Sequence, residues 1–245
     1  MSKGTLRQIL LMTDGCSNKG DDPSMIAALA KEQGITVNVI GVVEDDAIGE
    51  QGIREIENIA LSGGGVSQVV YAEELAKTVQ MVTRKAMTQT IYGIVNRELS
   101  SILGKGKELD DLPPDQRGEV MEVVDDLGET LELELCILVD TSASMKKKLP
   151  TVRESLLDLS VSLQSRIGDN RYSLLVFPGK RKDTEKLLDW TPNMNRLTNV
   201  FDKLSSAGIT PTGPALRDAI NMFPATAKSR RSLISDDAYL EESGS

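Results

Sequence analysis

"CILVDTSASMKKKLP", Cys136 to Pro150, is the stretch on which the fold turns. It opens as an apolar run, meets a carboxylate at Asp140, and continues through hydroxyls at Ser142 and Ser144. A short continuous apolar run that ends in polar residues is the pattern of a strand buried on both faces, as in a parallel sheet. Ligands of such sheets bind outside the carboxyl ends of the strands, so the loop at Asp140 lies where a site is expected. It presents one charged oxygen and two neutral hydroxyls. Hard divalent cations take oxygen ligands, and Mg2+ keeps several waters in a near-octahedral shell. On spacing alone, a helix cap at Asp140 with the serines as loop residues reads equally well.

The flanking sequence alternates between strand and helix patterns. "QILLMTDG" reads as a buried strand ending at Asp14. Asp22 then caps a helix with Pro23 at its first position and Gly34 beyond its end. Ile35 to Val43 is the next strand, "IREIENIALSGGG" a helix, "VSQVVYA" a strand, and Glu73 opens a long helix. That helix carries apolar residues at Leu75, Val79, Val82, Ile91, Ile94, Leu99 and Ile102, with a break expected at Gly93. After a segment from Thr88 to Thr130 that reads as a connector with a short acidic helix, a second series begins. "LELELCILVD" is a strand, "KLPTVRESLLDLSVSLQSRIG" a helix, "NRYSLLVFPG" and "KLLDWTP" strands, "NMNRLTNVFDKLSSAG" a helix, "ITPTG" a loop and "GPALRDAINMF" a helix. From Pro224 the chain is polar and expected to fray. This alternation implies an α/β fold with a doubly wound, mostly parallel sheet.

Composition narrows the function. The net charge of −9 argues against a nucleic-acid partner. Between Lys105 and Glu134 eleven acidic residues face three basic ones, so this segment reads as a solvated acidic insert. There is no histidine, which removes the commonest general base and zinc ligand together. The two cysteines, Cys16 and Cys136, have no metal-motif spacing. The apolar run near the N-terminus is too short for a signal peptide and no segment is long enough for a membrane span, so a reducing, cytoplasmic setting is expected.

Asp140-x-Ser142-x-Ser144 after an apolar strand resembles the first element of the metal-ion-dependent adhesion site (MIDAS) of von Willebrand factor A (vWA) domains. "GITPTG" resembles the second, a threonine in a glycine-bounded loop, at Thr210. "LLMTDG" resembles the third, an aspartate at a strand end, at Asp14. The whole chain is also similar to YabS-type vWA proteins of bacilli. The order differs from the family's, in which the serine loop comes first and Thr-Asp-Gly last. Residues 1–88 match the family's elements C-terminal to Thr-Asp-Gly, and residues 132–223 match those N-terminal to it. The chain therefore resembles one circularly permuted vWA domain, with residues 89–131 as an acidic helical connector and 224–245 as a polar tail. Two alternatives stand beside this: two chains completing each other as a swapped dimer, and a second degenerate domain whose missing strand is echoed weakly by Leu233 to Asp236.

The resemblance implies a metal shell of Asp140, Ser142, Ser144, Thr210 and Asp14, the last two often acting through water. It implies Mg2+ (or Mn2+) as the ion, and a protein partner whose Asp or Glu carboxylate fills an open coordination position. AAA-type ATPases and Ser/Thr kinase or phosphatase systems are the partner classes that intracellular bacterial relatives serve. No catalytic residue is expected on this reading. The rivals are a metal-dependent phosphohydrolase, for which Lys146 to Lys148 would be the nearest base, and an empty site with the acidic connector as the interface. Those lysines read more simply as a solvated start of the next helix.

Overall fold

The computed structural model describes residues 4–43, 48–103, 109–193 and 209–224. The strands are β1 (Thr5–Thr13), β2 (Ile35–Val43), β3 (Gly64–Tyr71), β4 (Glu132–Asp140), β5 (Asn170–Phe177) and β6 (Glu185–Thr191). The helices are α1 (Pro23–Glu32), α2 (Glu50–Ser62), α3 (Leu75–Leu103), α4 (Pro114–Thr130), α5 (Leu149–Gln164) and α6 (Thr212–Asn221). One six-stranded sheet forms in the order β3-β2-β1-β4-β5-β6, parallel except for the antiparallel edge pair β5–β6. The doubly wound α/β expectation is therefore met.

β1 and β4 lie side by side at the centre, although 127 residues separate paired positions such as Ile9 and Cys136. Charge supports the register: the buried Glu134 lies between Arg7, at 3.2 Å, and Arg171, at 3.3 Å, one from each neighbouring strand. Alternate residues of the central strands feed two cores. Leu10, Met12, Ile137 and Val139 pack with α3 and α5 through Val79, Val82, Val152 and Leu156. Ile9, Leu11, Cys136 and Leu138 pack with α1, α2 and α6 through Ile26, Ile56, Ala215 and Leu216. Burial on both faces is why these strands read as unbroken apolar runs.

The connector differs from its expected form in two respects. Gly93 does not break α3, which runs through 29 residues and spans about 44 Å at 1.5 Å per residue. A single exposed glycine costs a helix about 1 kcal/mol, less than the packing of the neighbouring buried Met87 and Ile91 provides. The segment is also not a purely solvated insert. Val124 on α4 and Leu109 before it are 0% and 1% exposed, and Val124 joins the α3–α5 core. On the outer side of α3 the expected apolar stripe overreaches, because Ile94 is exposed. Arg166 ties the end of α4 to the rest of the fold, donating to the carbonyls of Gly128 at 2.9 Å and Leu131 at 2.7 Å and to Asn170. The helix expected within "NMNRLTNVFDKLSSAG" falls on residues 194–208 and the polar tail on 225–245, outside the described residues.

Candidate metal centre

Because Met12 pairs with Val139, the next residues, Thr13 and Asp140, end adjacent strands beside one another. The Thr13 hydroxyl donates to Asp140 Oδ2 at 2.8 Å. The Ser142 N–H donates to Oδ1 at 2.7 Å, an Asx-type turn that bends the chain immediately after β4. Met145, fully buried, then anchors the serine loop in the core. The hydroxyls of Ser142 and Ser144 are 3.1 Å apart, and Ser144 donates to Asp14 Oδ1 at 2.8 Å. Four of the five expected ligands, Asp140, Ser142, Ser144 and Asp14, thus lie in one hydrogen-bonded chain.

Thr210 reaches the same edge through its backbone. Its N–H donates to Asn18 Oδ1 at 2.8 Å, and its carbonyl accepts from the Asn18 N–H at 3.1 Å and the Ser17 hydroxyl at 3.3 Å. Asn18 and Ser17 belong to the loop that carries Asp14, so the threonine loop is sewn onto the Thr-Asp-Gly loop. Gly213 permits this approach: a Cβ there would meet the Asp21 carbonyl oxygen at 2.0 Å.

Asp140 has no exposed surface, and burial pushes its carboxyl up to about 6. The hydrogen bonds from Ser142 and Thr13 oppose that rise, and the nearby Asp14 adds to it. Burial disfavours the lone charge of Asp140, and a bound cation would relieve that cost as a proton does. Beside the site, burial also raises Glu55, although the Ser17 N–H, at 2.7 Å, stabilises its charged form.

The residue that sequence reasoning misjudged is Lys148. Instead of a solvated start to α5, its side chain is only 11% exposed and its ammonium lies 2.5 Å from Asp14 Oδ2, itself 3% exposed. The signal available in the sequence was its place directly before the apolar Leu149, four residues beyond Ser144. Lys146 and Lys147 are exposed as expected. Thr13, quoted only as part of its motif, is the other residue whose role emerges here.

These residues fit a hard divalent cation. The donors are all oxygens, two carboxylates and two hydroxyls, and a cationic group, the Lys148 ammonium, already sits against Asp14. Among the described residues no group of three or more His, Cys, Asp or Glu could hold a metal; at this edge two carboxylates, Asp140 and Asp14, are instead joined through the hydroxyls of Ser142 and Ser144. No described helix is long and apolar enough to cross a membrane.

A family model for the von Willebrand factor type A domain matches residues 2–85, the part that contains Asp14. The chain is 60% identical over 237 residues, 97% of its length and 96% of the relative's, to the uncharacterized protein YabS of Bacillus subtilis (strain 168). It is 40% identical to an uncharacterized protein from Alicyclobacillus acidocaldarius subsp. acidocaldarius DSM 446. That crystal structure covers 96% of this chain and 97% of its own, with a TM-score of 0.82.

Proposed function

The chain belongs to the von Willebrand factor type A family, and from that premise we propose that it is a divalent-cation-dependent protein-binding module. Its metal ligands on this reading are Asp140, Ser142, Ser144, Thr210 and Asp14, with Mg2+ or Mn2+ as the ion. When bound, the ion supplies a Lewis-acidic position that an Asp or Glu carboxylate of a partner protein can occupy. Asp140 and Asp14 supply the fixed negative charge, and the serine hydroxyls supply neutral oxygens. Thr13 and the Ser142 N–H hold the Asp140 carboxylate in one orientation. The hydrogen-bonded chain from Asp140 through Ser142 and Ser144 to Asp14 is the observation that carries this reading.

The reading is a binding one. The chain has no histidine to act as a base, and the lysine at the site, Lys148, is engaged by Asp14. A cytoplasmic setting and a partner from an AAA-type ATPase or a Ser/Thr kinase or phosphatase system complete it. Residues 1–88 and 132–223 are read as two halves of a single permuted domain, supported by the pairing of β1 with β4 in one sheet.

Isothermal titration with Mg2+ and Mn2+ tests the reading. Wild-type protein should bind one equivalent, and Asp140→Ala should bind none while retaining its helical circular dichroism. Equal binding by both proteins would overturn it and move the ion elsewhere, the acidic connector being the first place to look.

A further inference from the structure

The tip of the β5–β6 hairpin carries Lys180, Arg181 and Lys182, all exposed, in a chain whose net charge is −9. Its position is closely determined. β5 ends at Phe177, paired with Asp140, and the Phe177 carbonyl accepts from the N–H of Thr141 at 2.6 Å and from its hydroxyl at 3.1 Å. The hairpin tip therefore rises one strand away from the serine loop, a spacing of about 4.8 Å between neighbouring strands. The Gly179 N–H donates to the Asp183 carbonyl and closes the turn. Asp183 pairs with Lys19 at 2.6 Å, which binds the tip to the loop after Asp14, and the Thr184 hydroxyl donates to Asp218 on α6. A cleft runs between Lys19, the hairpin tip and the exposed Ile209, which directly precedes Thr210.

The charges around this cleft are unevenly satisfied. The acidic groups are engaged: Asp183 by Lys19, Asp218 by Thr184, Asp21 by Arg217 at 2.7 Å, and Asp22 by the N–H of Ser24. Lys180, Arg181 and Lys182 have no ion-pair partner among the described residues, and Lys146 and Lys147 add two more exposed cations beyond Ser144. Exposed like charges held side by side repel, and an incoming anion relieves that repulsion.

We propose that this cleft is the docking groove for an acidic peptide segment of the partner, which runs along Lys180, Arg181 and Lys182 while one of its carboxylates reaches the metal centre. This deepens the binding reading above and rests on it. A carboxylate alone identifies no partner; a basic groove beside the site selects those whose carboxylate stands in an acidic run. Rim charges of this kind act on encounter rate and salt dependence.

Fluorescence anisotropy of labelled deca-glutamate with the full chain tests the proposal, using K180S/R181S/K182S, a control K77S/K85S on α3, outside the residues that line the cleft, and Asp140→Ala. With Mg2+ present, wild type and K77S/K85S should bind equally. The hairpin variant should bind about tenfold more weakly, the scale of three lost exposed attractions. Its affinity should also depend less on salt. Circular dichroism and melting confirm that each variant is folded. If the hairpin variant binds as wild type does, or if wild type does not bind, the groove is overturned. A single-stranded oligonucleotide of equal charge that outcompetes the peptide would overturn the choice of partner. If the hairpin variant loses binding while EDTA and Asp140→Ala do not matter, the groove stands and the metal reading falls. The converse pattern leaves the metal reading and removes the groove.

Discussion

The Lys148 ammonium lies 2.5 Å from Oδ2 of Asp14, while Oδ1 of the same carboxylate accepts the Ser144 hydroxyl at 2.8 Å. Both oxygens of Asp14 are thus committed, one to a cation and one to the serine loop. The pair offsets the repulsion that Asp14 and Asp140 would otherwise exert on each other without a metal. A divalent ion at the site must share Asp14 with Lys148 or move it aside.

Lys148→Met should therefore separate the two cationic roles. Breaking a buried pair by removing one partner costs about 3 to 5 kcal/mol, and Asp14 would be left without its counter-charge. The metal-free variant should melt well below wild type, and Mg2+ should raise its melting temperature by more than it raises that of wild type. Differential scanning calorimetry at several Mg2+ concentrations measures both. An equal Mg2+-induced rise in the two proteins would show that Lys148 does not compete for the ion's position.

Stability without metal should depend on pH through Asp140. Its folded carboxyl is raised, chiefly by burial, from 3.8 to about 6. Between those values the folded state binds more protons than the unfolded state, so stability falls as pH rises through this window. The slope attributable to this one group is at most about 1.4 kcal/mol per pH unit. Urea denaturation of wild type and Asp140→Asn from pH 4 to pH 7 isolates it, since the difference between the two proteins should change across the window. Mg2+ requires the ionised carboxylate, so in its presence the wild-type decline should flatten or reverse. A difference independent of pH would mean that Asp140 titrates as an ordinary carboxyl.

Gly213→Ala should act on the site from a distance. The new Cβ would meet the Asp21 carbonyl at 2.0 Å, so α6 must draw back from the loop that carries Asn18. Overpacking of this kind costs about 1 to 3 kcal/mol. Thr210 shares backbone hydrogen bonds with Asn18, so cation affinity should fall along with stability. Titration calorimetry showing unchanged Mg2+ affinity would detach Thr210 from the metal centre.

Arg166→Met should do the reverse, lowering stability while leaving the site intact. Its guanidinium serves the carbonyls of Gly128 and Leu131 and the side chain of Asn170, near the ends of the strands remote from Asp140. Hydrogen bonds to charged groups contribute about 1.5 to 3 kcal/mol each, and half-buried carbonyls left without their donor add to the loss. The urea midpoint should drop substantially, with the Mg2+-induced increment preserved. A loss of less than about 1 kcal/mol would show that α4 is only loosely attached.

The sequence by itself determined the central strands and their polar ends. Runs buried on both faces admit little except aliphatic residues, and Asp14 and Asp140 stand where those runs stop. It also carried the three loop motifs, because turns and caps depend on residues close together in the chain. Only the tertiary structure decided that β1 lies against β4, which brings Thr13 to within 2.8 Å of Asp140 across 127 residues. The continuity of α3 through Gly93 and the burial of Val124 were decided in the same way: local propensity predicts a break and a solvated face, and packing of α3 against α5 and the sheet, and of α4 against α3, outweighs both. Lys148 shows the limit most clearly. Its place directly before Leu149 is all that sets it apart locally from the exposed Lys146 and Lys147; it turns inward because a carboxylate 134 residues away waits there, and a local pattern holds no information about a charge that only folding brings near.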